Sequence, residues 1–178
     1  MLQTSKPNPA HYALVTLEQK GKLNAIITQN IDMLHQAAGS KVPIYEFHGS
    51  SQKGHCVKCK WSFDHAKLLS KMEREEIPQC EKCGGLVKPD VVLFGEEIPR
   101  AAARGAERAV QNCDLLIVVG SSLSVAPANF IPMEAKENGA RVIFVNRDPT
   151  LYDHLADLVI HGSAGEILPQ LVEFERSG

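Results

Sequence analysis

Short apolar runs alternate with amphipathic stretches along most of the chain. Several runs are apolar at nearly every position, which is typical of strands buried on both faces: "LNAIIT" (23–28), "IYEFHG" (44–49), "DVVLF" (90–94), "DLLIVVG" (114–120), "RVIFVN" (141–146) and "DLVIHG" (157–162). Helical periodicity begins after Asn8, a candidate N-cap, and returns over 100–112, 127–138 and 164–174. This alternation predicts an α/β fold: a Rossmann-like parallel sheet with helices on both faces.

The pattern changes between 50 and 87, where the apolar periodicity stops and four cysteines appear. We therefore predict two units. A Rossmann-like domain is built from 1–49 and 88–178, and a small zinc-binding module, 50–87, is inserted into it. A helix capped by Asp64 is expected inside the insert.

Composition and charge limit the function classes. Hydrophobic residues make up 44% of the 178 positions, and the net charge is −2. That charge gives no attraction to nucleic acid or to anionic membranes, and the insert itself carries six basic against five acidic residues between Cys56 and Cys83. The apolar runs are too short to span a bilayer, and the first residues lack a secretory pattern. We expect a cytoplasmic protein with no nucleic-acid or membrane partner.

Two C-x2-C pairs, Cys56 with Cys59 and Cys80 with Cys83, are separated by twenty residues. This spacing is typical of a tetrahedral zinc site made from two cysteine knuckles. Four thiolates fill the coordination shell, so such a zinc ion would be structural rather than catalytic. A pair of redox dithiols and a pair of disulfides remain open as alternatives.

Ligands of a parallel sheet bind beyond the carboxyl ends of its strands. Small and polar residues collect at those ends: Gln29, Asn30, Asp32, His48, Gly95, Glu96, Gly120, Ser121, Ser122, Asn146, Arg147, Asp148, Gly162 and Ser163. They favour a ligand that carries hydroxyl groups or phosphate. The "VVGSSL" turn has a second interpretation as a helix cap, and a lone histidine such as His48 often has a purely structural role. The dehydrogenase fingerprint G-x-G-x-x-G does not occur.

Taken together, these segments resemble the sirtuins, the family of NAD-dependent protein lysine deacylases. The matching pieces follow the family's order along the whole chain: "PNPAHYAL", "ITQNIDMLH", "FHGS", the four cysteines, "KPDVVLFGE", "VVGSSLSVAP", "VNRDPT" and "ADLVIHGSAGEILPQL".

The resemblance implies a role for each matched position. His48 is expected to be the general base. Residues expected to contact NAD are Gln29, Asn30, Asp32, Gly120, Ser121, Ser122, Asn146, Arg147, Gly162, Ser163 and Ala164. Those expected to line the acyl-lysine cleft are Val92, Phe94, Gly95 and Glu96. The expected partner is an acyl-lysine protein or peptide, bound as an added strand.

The chemistry implied by the resemblance is transfer of an acyl group from lysine to ADP-ribose, with release of nicotinamide. An imidazole that titrates near neutrality suits the proton transfer, which is worth about 10²–10⁴-fold in rate. Two alternatives remain: a non-catalytic module that binds acyl-lysine or ADP-ribose, and an enzyme that transfers ADP-ribose to protein.

One part of the family pattern is missing. Sirtuins begin with a glycine-rich turn of the type G-A-G-x-S and a loop containing P-D-F-R, whereas the sequence here opens with "MLQTSKPNPAHYAL". We therefore expect a truncated chain that is weakly active or inactive, and both a fragment of a longer enzyme and a naturally short protein remain open. The loss of a central strand would expose apolar surface and favour self-association.

Overall fold

The computed structural model describes residues 5–73 and 77–173, so the outer ends of the predicted domain and Phe174, the expected last helical residue, lie outside the described residues. Its helices are α1 (Pro9–Gln19), α2 (Leu34–Ala37), α3 (His65–Glu73), α4 (Arg100–Gln111), α5 (Ile131–Glu137) and α6 (Ala164–Glu173). Its strands are β1 (Ile26–Thr28), β2 (Ile44–Glu46), β3 (Gly49–Cys56), β4 (Ser62–Asp64), β5 (Val87–Val91), β6 (Leu115–Val119), β7 (Arg141–Asn146) and β8 (Leu158–His161). No helix in this described part is long and apolar enough to cross a membrane.

The parallel strands form two sheets within the described ranges. One sheet pairs β1 with β2, and the other has the order β6-β7-β8. The connections after β1, β6 and β7 return the chain to the same end of the sheet for the next parallel strand. The predicted α/β fold with a parallel, Rossmann-like arrangement is confirmed.

The central strand β7 explains why the parallel strands are apolar throughout. On one face, Val142 and Phe144 are fully buried in a cluster that includes Ala135 of α5. On the other face, Val145 packs in a cluster with Leu168 of α6. Because successive side chains of a strand point to opposite faces, a strand covered by helices on both sides needs apolar residues at every position.

Helix α1 begins as the sequence predicts. The Asn8 side chain accepts hydrogen bonds from the amides of Ala10 (3.0 Å) and His11 (3.3 Å), and Pro9 occupies the first turn. Asp64 likewise caps α3, since its Oδ1 accepts from the Lys67 amide at 2.9 Å. Local capping chemistry therefore fixes both helix starts.

Two predicted strands differ from the observed ones. The segment 90–94 does not join the parallel sheet; the strand is β5, which pairs antiparallel with β3 in a sheet of order β4-β3-β5. The segment 44–49 is likewise divided, because β2 ends at Glu46 and β3 begins at Gly49. Gly49 has a φ of +73°, and a Cβ there would lie 2.0 Å from the Asp90 carbonyl oxygen, so the close β3–β5 approach depends on glycine. An apolar run indicates burial but does not identify the partner strand.

The contact between α4 and β2 gives a test of this packing. A Cβ at Gly105 of α4 would lie 2.1 Å from the Tyr45 ring, whereas a Cβ at Gly165 of α6 would have no neighbour closer than 3.8 Å. We expect Gly105→Ala to lower the free energy of unfolding by about 1–3 kcal/mol through overpacking. The matched control Gly165→Ala is expected to be neutral, or to stabilise by up to about 1 kcal/mol. Urea unfolding of both variants measures the difference, and equal stability of the two would contradict the packing described here.

Candidate functional site

Side chains at the carboxyl ends of β6 and β7 are joined by reciprocal hydrogen bonds. The Ser121 amide donates to Asn146 Oδ1 at 2.9 Å, and Asn146 Nδ2 donates to the Ser121 carbonyl at 2.9 Å. Asn146 is only 5% exposed. The amide of Gly162, after β8, donates to the Asn146 carbonyl at 3.0 Å. Three strand ends therefore form one continuous edge, as parallel strands of one sheet allow.

One side-chain contact connects this edge to the sheet of β1 and β2. The Ser121 hydroxyl donates to Gln29 Oε1 at 3.2 Å. Because Gln29 directly follows β1, the carboxyl ends of the two parallel sheets meet here. Gly120 lies beside this contact with a φ of +59°, and a Cβ there would meet nothing within 4 Å, so its backbone faces open space.

The loop after β1 places Asp32 among other titratable groups. Asp32 Oδ1 accepts from the Leu34 amide at 3.0 Å and so begins α2. Burial lowers the pKa of His35, and the negative charge of Asp32 opposes this shift. Burial raises the pKa of Glu46, and the same charge adds to the rise. Asn30, in the same loop, donates its amide to the Thr28 hydroxyl at 3.1 Å.

His48 lies in the short connection between β2 and β3, and its side chain is half-buried. Two hydroxyls just after it bind the Asp32 loop: Ser50 contacts Met33 Sδ at 3.2 Å, and Ser51 donates to the Ile31 carbonyl at 3.0 Å. On the other side, the His48 carbonyl accepts from the Val92 amide at 2.9 Å. The backbone at His48 is thus held between the Asp32 loop and the segment that follows β5.

That segment, 92–96, makes a turn after β5. Phe94 is fully exposed (103%), and Gly95 has a φ of +88°. The Glu96 carboxylate binds Lys88 Nζ and the Leu93 amide, and the hydrogen bond from Lys88 holds the pKa of Glu96 below its ordinary value. The site residues predicted from sequence do not include Lys88. Its opposite charge near Glu96 was the available signal.

The remaining candidate residues line the same edge at the surface. Ser122 and Arg147 are exposed, and the Ser122 hydroxyl contacts that of Ser124 at 2.8 Å. The Ser163 carbonyl accepts from the Glu166 and Ile167 amides where α6 begins at Ala164. Contact of these residues with a cofactor stays a prediction.

A second site lies in the inserted module. The Sγ atoms of Cys56, Cys59, Cys80 and Cys83 all lie within 4.8 Å of one another. The separations are 3.5 Å for Cys56–Cys83 and 3.6 Å for Cys59–Cys80. Four sulfurs around a tetrahedral zinc at about 2.3 Å would stand about 3.8 Å apart.

All four cysteines of the cluster are free thiols, so they fit a structural zinc ion and form no disulfide. The Cys59 amide lowers the pKa of the Cys56 thiol to about 6, whereas burial and the neighbouring thiols raise the pKa of the Cys59 thiol, so Cys56 is the first of the two to form a thiolate.

Comparison with a family model gives a match over residues 1–127, and that model describes the Sir2 family. The chain is 47% identical over 168 residues to NAD-dependent protein deacetylase 1 of Pyrobaculum aerophilum, covering 94% of this chain and 65% of the relative. It is 48% identical over 170 residues to NAD-dependent protein deacylase 2 of Archaeoglobus fulgidus, covering 95% and 67%. The chain thus spans about two thirds of the length of these curated relatives.

Comparison with solved structures also finds Sir2 proteins similar to this chain. A structure of Sir2 bound to an acetylated peptide superposes with a TM-score of 0.93 at 37% identity, covering 98% of this chain and 73% of that one. At this identity and coverage the likeness extends to the sequence as well as the fold.

The cysteine cluster can be tested by metal analysis. We expect about one zinc ion per purified chain, because the four thiols complete a tetrahedral shell. Cys80→Ser removes one ligand and should abolish tight zinc binding and destabilise the module, since structural zinc contributes folding energy. Cys113→Ser is the matched control, because Cys113 lies outside the cluster and its thiol donates to the Val110 carbonyl. Elemental analysis and thermal unfolding give the readout; zinc retained in Cys80→Ser, or lost in Cys113→Ser, would contradict the assignment.

Proposed function

This chain belongs to the Sir2 family, and we propose that it carries the catalytic edge of an NAD-dependent protein lysine deacylase. Such an enzyme transfers the acyl group of a modified lysine to ADP-ribose and releases nicotinamide. One observation carries the proposal: hydrogen bonds link successive segments of the site. Val92 binds the His48 carbonyl, Ser50 and Ser51 bind the loop 31–33, and Gln29, just before that loop, binds Ser121, which binds Asn146. The names of the relatives, deacetylase and deacylase, support the same reaction.

The open edge fits a nucleotide cofactor. Space above Gly120 admits close approach of a ligand to the backbone, and the exposed residues Ser122 and Ser124 follow it along the chain. We propose that NAD is held by Gln29, Asn30, Asp32, Gly120, Ser121, Ser122, Asn146, Arg147, Gly162, Ser163 and Ala164. When bound, NAD supplies an electrophilic ribose carbon and the acceptor of the acyl group.

The protein's own residues then have distinct tasks. His48 accepts a proton from a ribose hydroxyl. Its carbonyl is bound by the Val92 amide, and Ser51, three residues later, binds the Ile31 carbonyl, so the chain at His48 is held by two neighbouring segments. Asn146, fixed by Ser121, orients the sugar at the strand ends. The wall of the acyl-lysine cleft is formed by Val92, Phe94, Gly95 and Glu96. Phe94 offers an exposed aromatic surface to the lysine stem.

We further propose that the substrate is an acyl-lysine protein or peptide, since Sir2 has been solved bound to an acetylated peptide. We place the enzyme in the cytoplasm, and we divide it into the Rossmann-like NAD domain (1–49 and 88–178) and the zinc module (50–87). The antiparallel β4-β3-β5 sheet is separate from the parallel sheets, which supports a second unit, and residues 88–91 of β5 pair with this unit although they lie beyond the boundary at 87.

A binding function without catalysis is the second candidate. It is favoured by the division of the parallel strands into two sheets within the described residues. Consumption of NAD separates the two candidates, because a binding module would leave NAD intact.

The catalytic proposal predicts acylated ADP-ribose and nicotinamide from purified chain, NAD and an acetyl-lysine peptide. His48→Ala is expected to lower the rate by about 10²–10⁴-fold, because the proton acceptor is lost. His154→Ala serves as the control, since His154 is exposed and its ring contacts the Leu151 carbonyl. Mass spectrometry follows both products. Equal rates in the parent and His48→Ala would contradict the role of His48, and peptide binding without NAD consumption would favour the binding module.

Self-association through apolar surface is a separate proposal. Within the described residues β6 pairs with β7 alone, which leaves one edge of β6 unpaired, and Leu115 on this strand is 42% exposed. We expect the apparent mass in light scattering to rise with concentration, and Leu115→Lys to reduce that rise by placing a charge on the edge strand. Leu171→Lys on α6 is the control for a surface charge at a residue of similar exposure, 38%. A mass independent of concentration would contradict the proposal.

A further inference from the structure

The turn formed by residues 92–96 has no apolar anchor at its tip. Leu93 is 58% exposed and Phe94 is fully exposed, so neither side chain packs into a core. Gly95 has a φ of +88°, and a Cβ there would meet nothing within 4 Å. Burial therefore cannot hold this turn in one conformation, and its shape depends on polar contacts.

Glu96 supplies those contacts. Its carboxylate accepts from the Leu93 amide at 3.0 Å and from Lys88 Nζ at 2.5 Å to each oxygen. The Glu96 amide donates in turn to the Leu93 carbonyl at 3.0 Å. These contacts close the turn around Phe94 and Gly95, and bidentate binding by a charged donor is stronger than a neutral hydrogen bond.

Lys88 provides a fixed base for the Glu96 carboxylate. It lies within β5, where it pairs with His55 of β3. A Cβ at Gly54 of β3 would approach the Lys88 carbonyl oxygen to 2.6 Å, so the two strands are closely packed at this point. The Lys88 side chain is 25% exposed, which limits its freedom. The ammonium group is thus held by a strand pair rather than by a loop.

The same turn is connected to His48. The Val92 amide, at the start of the turn, donates to the His48 carbonyl at 2.9 Å. The proposed general base and the proposed wall of the acyl-lysine cleft therefore share one main-chain hydrogen bond. A change in the turn would alter the cleft beside His48 without touching the strand ends around Asn146.

We propose that Lys88 is a positioning residue that, through Glu96, fixes Phe94 in its exposed orientation and so sets the affinity for the acyl-lysine peptide. This inference rests on the deacylase function proposed above. It also assigns Glu96 a different task from the one expected from sequence: its carboxylate organises the turn, and the peptide contacts the surface that the turn presents. Affinity for NAD is independent of the pair, because the strand ends at Ser121 and Asn146 make no contact with it.

Four variants test the inference, and one of them, Glu96→Gln, removes the charge of the carboxylate. Lys88→Met removes the charge and keeps the length of the side chain, whereas Lys88→Arg keeps a bidentate donor. Lys53→Met is the matched control, an exposed lysine on β3 of the same sheet. Steady-state kinetics with an acetyl-lysine peptide and NAD give KM for each substrate and kcat. Fluorescence anisotropy of a labelled acetyl-lysine peptide gives Kd without turnover, and hydrogen exchange of the segment containing Leu93 reports on the turn itself.

For Lys88→Met we expect a roughly tenfold rise in peptide KM and Kd, with KM for NAD and kcat changed less than about twofold. Exchange at Leu93 should become faster in the same variant, because the carboxylate that accepts its amide is released. Lys88→Arg and Lys53→Met should resemble the parent in all three measurements. This combination supports a positioning role, since a general loss of structure would affect NAD and the peptide alike.

Each other outcome overturns a distinct part of the proposal. Unchanged exchange in Lys88→Met would show that the pair does not hold the turn, whether or not the chain is active. Faster exchange with unchanged peptide affinity would remove the link to substrate binding. Weakening by Glu96→Gln but not by Lys88→Met would restore direct contact between Glu96 and the peptide. A parent chain that binds NAD and no acetyl-lysine peptide would overturn the proposed function and with it the substrate role of Lys88, while the exchange result would still stand for the turn.

Discussion

The contact between Ser121 and Gln29 is the constraint on which the proposed site depends. In the described residues β1 and β6 belong to different sheets, and this 3.2 Å hydrogen bond joins their carboxyl ends. Ser121 is itself held by Asn146, which is buried at the end of β7. The hydrogen bond to Gln29 therefore connects the first sheet to a buried residue of the second. Apolar packing of Ile27 of β1 against the cluster that contains Val118 and Phe144 joins the same two sheets, and the hydrogen bond aligns their carboxyl ends.

The zinc module is connected to the proposed site through the paired strands β3 and β5. Strand β3 runs from Gly49, beside His48, to Cys56 in the thiol cluster, and β5 returns from Val87 to Val91. The metal site thus lies at one end of a strand pair whose other end bears His48 and the turn with Phe94. A structural zinc ion at four thiols would stiffen this pair far from the reacting groups. The zinc module would therefore also support the proposed acyl-lysine cleft.

Much of this organisation could be predicted from sequence, because its causes are local or periodic. The strand β7 is apolar at successive positions since it is buried on both faces, and Asn8 caps α1 through its own neighbouring amides. The cysteine spacing predicts the thiol cluster for a similar reason, because each knuckle is one turn of chain.

The non-local pairing of strands could not be predicted from the sequence. The segment 90–94 has the composition of a buried parallel strand, yet its pairing with β3 depends on Gly49 across the sheet. The bond between Lys88 and Glu96 closes a turn whose shape no periodic pattern encodes. The roles of His48 and of the residues at the strand ends stay predictions, because they concern contacts with a ligand rather than contacts within the chain.

The most direct test of the central claim is to follow the acyl group itself. Purified chain would be incubated with NAD and a peptide carrying an isotope-labelled acetyl-lysine, and mass spectrometry would locate the label. Transfer by the site described here predicts labelled acetyl on ADP-ribose, in amounts equal to the nicotinamide released. Labelled acetate formed while NAD stays intact, or ADP-ribose attached to protein with the acetyl group still on lysine, would contradict the account.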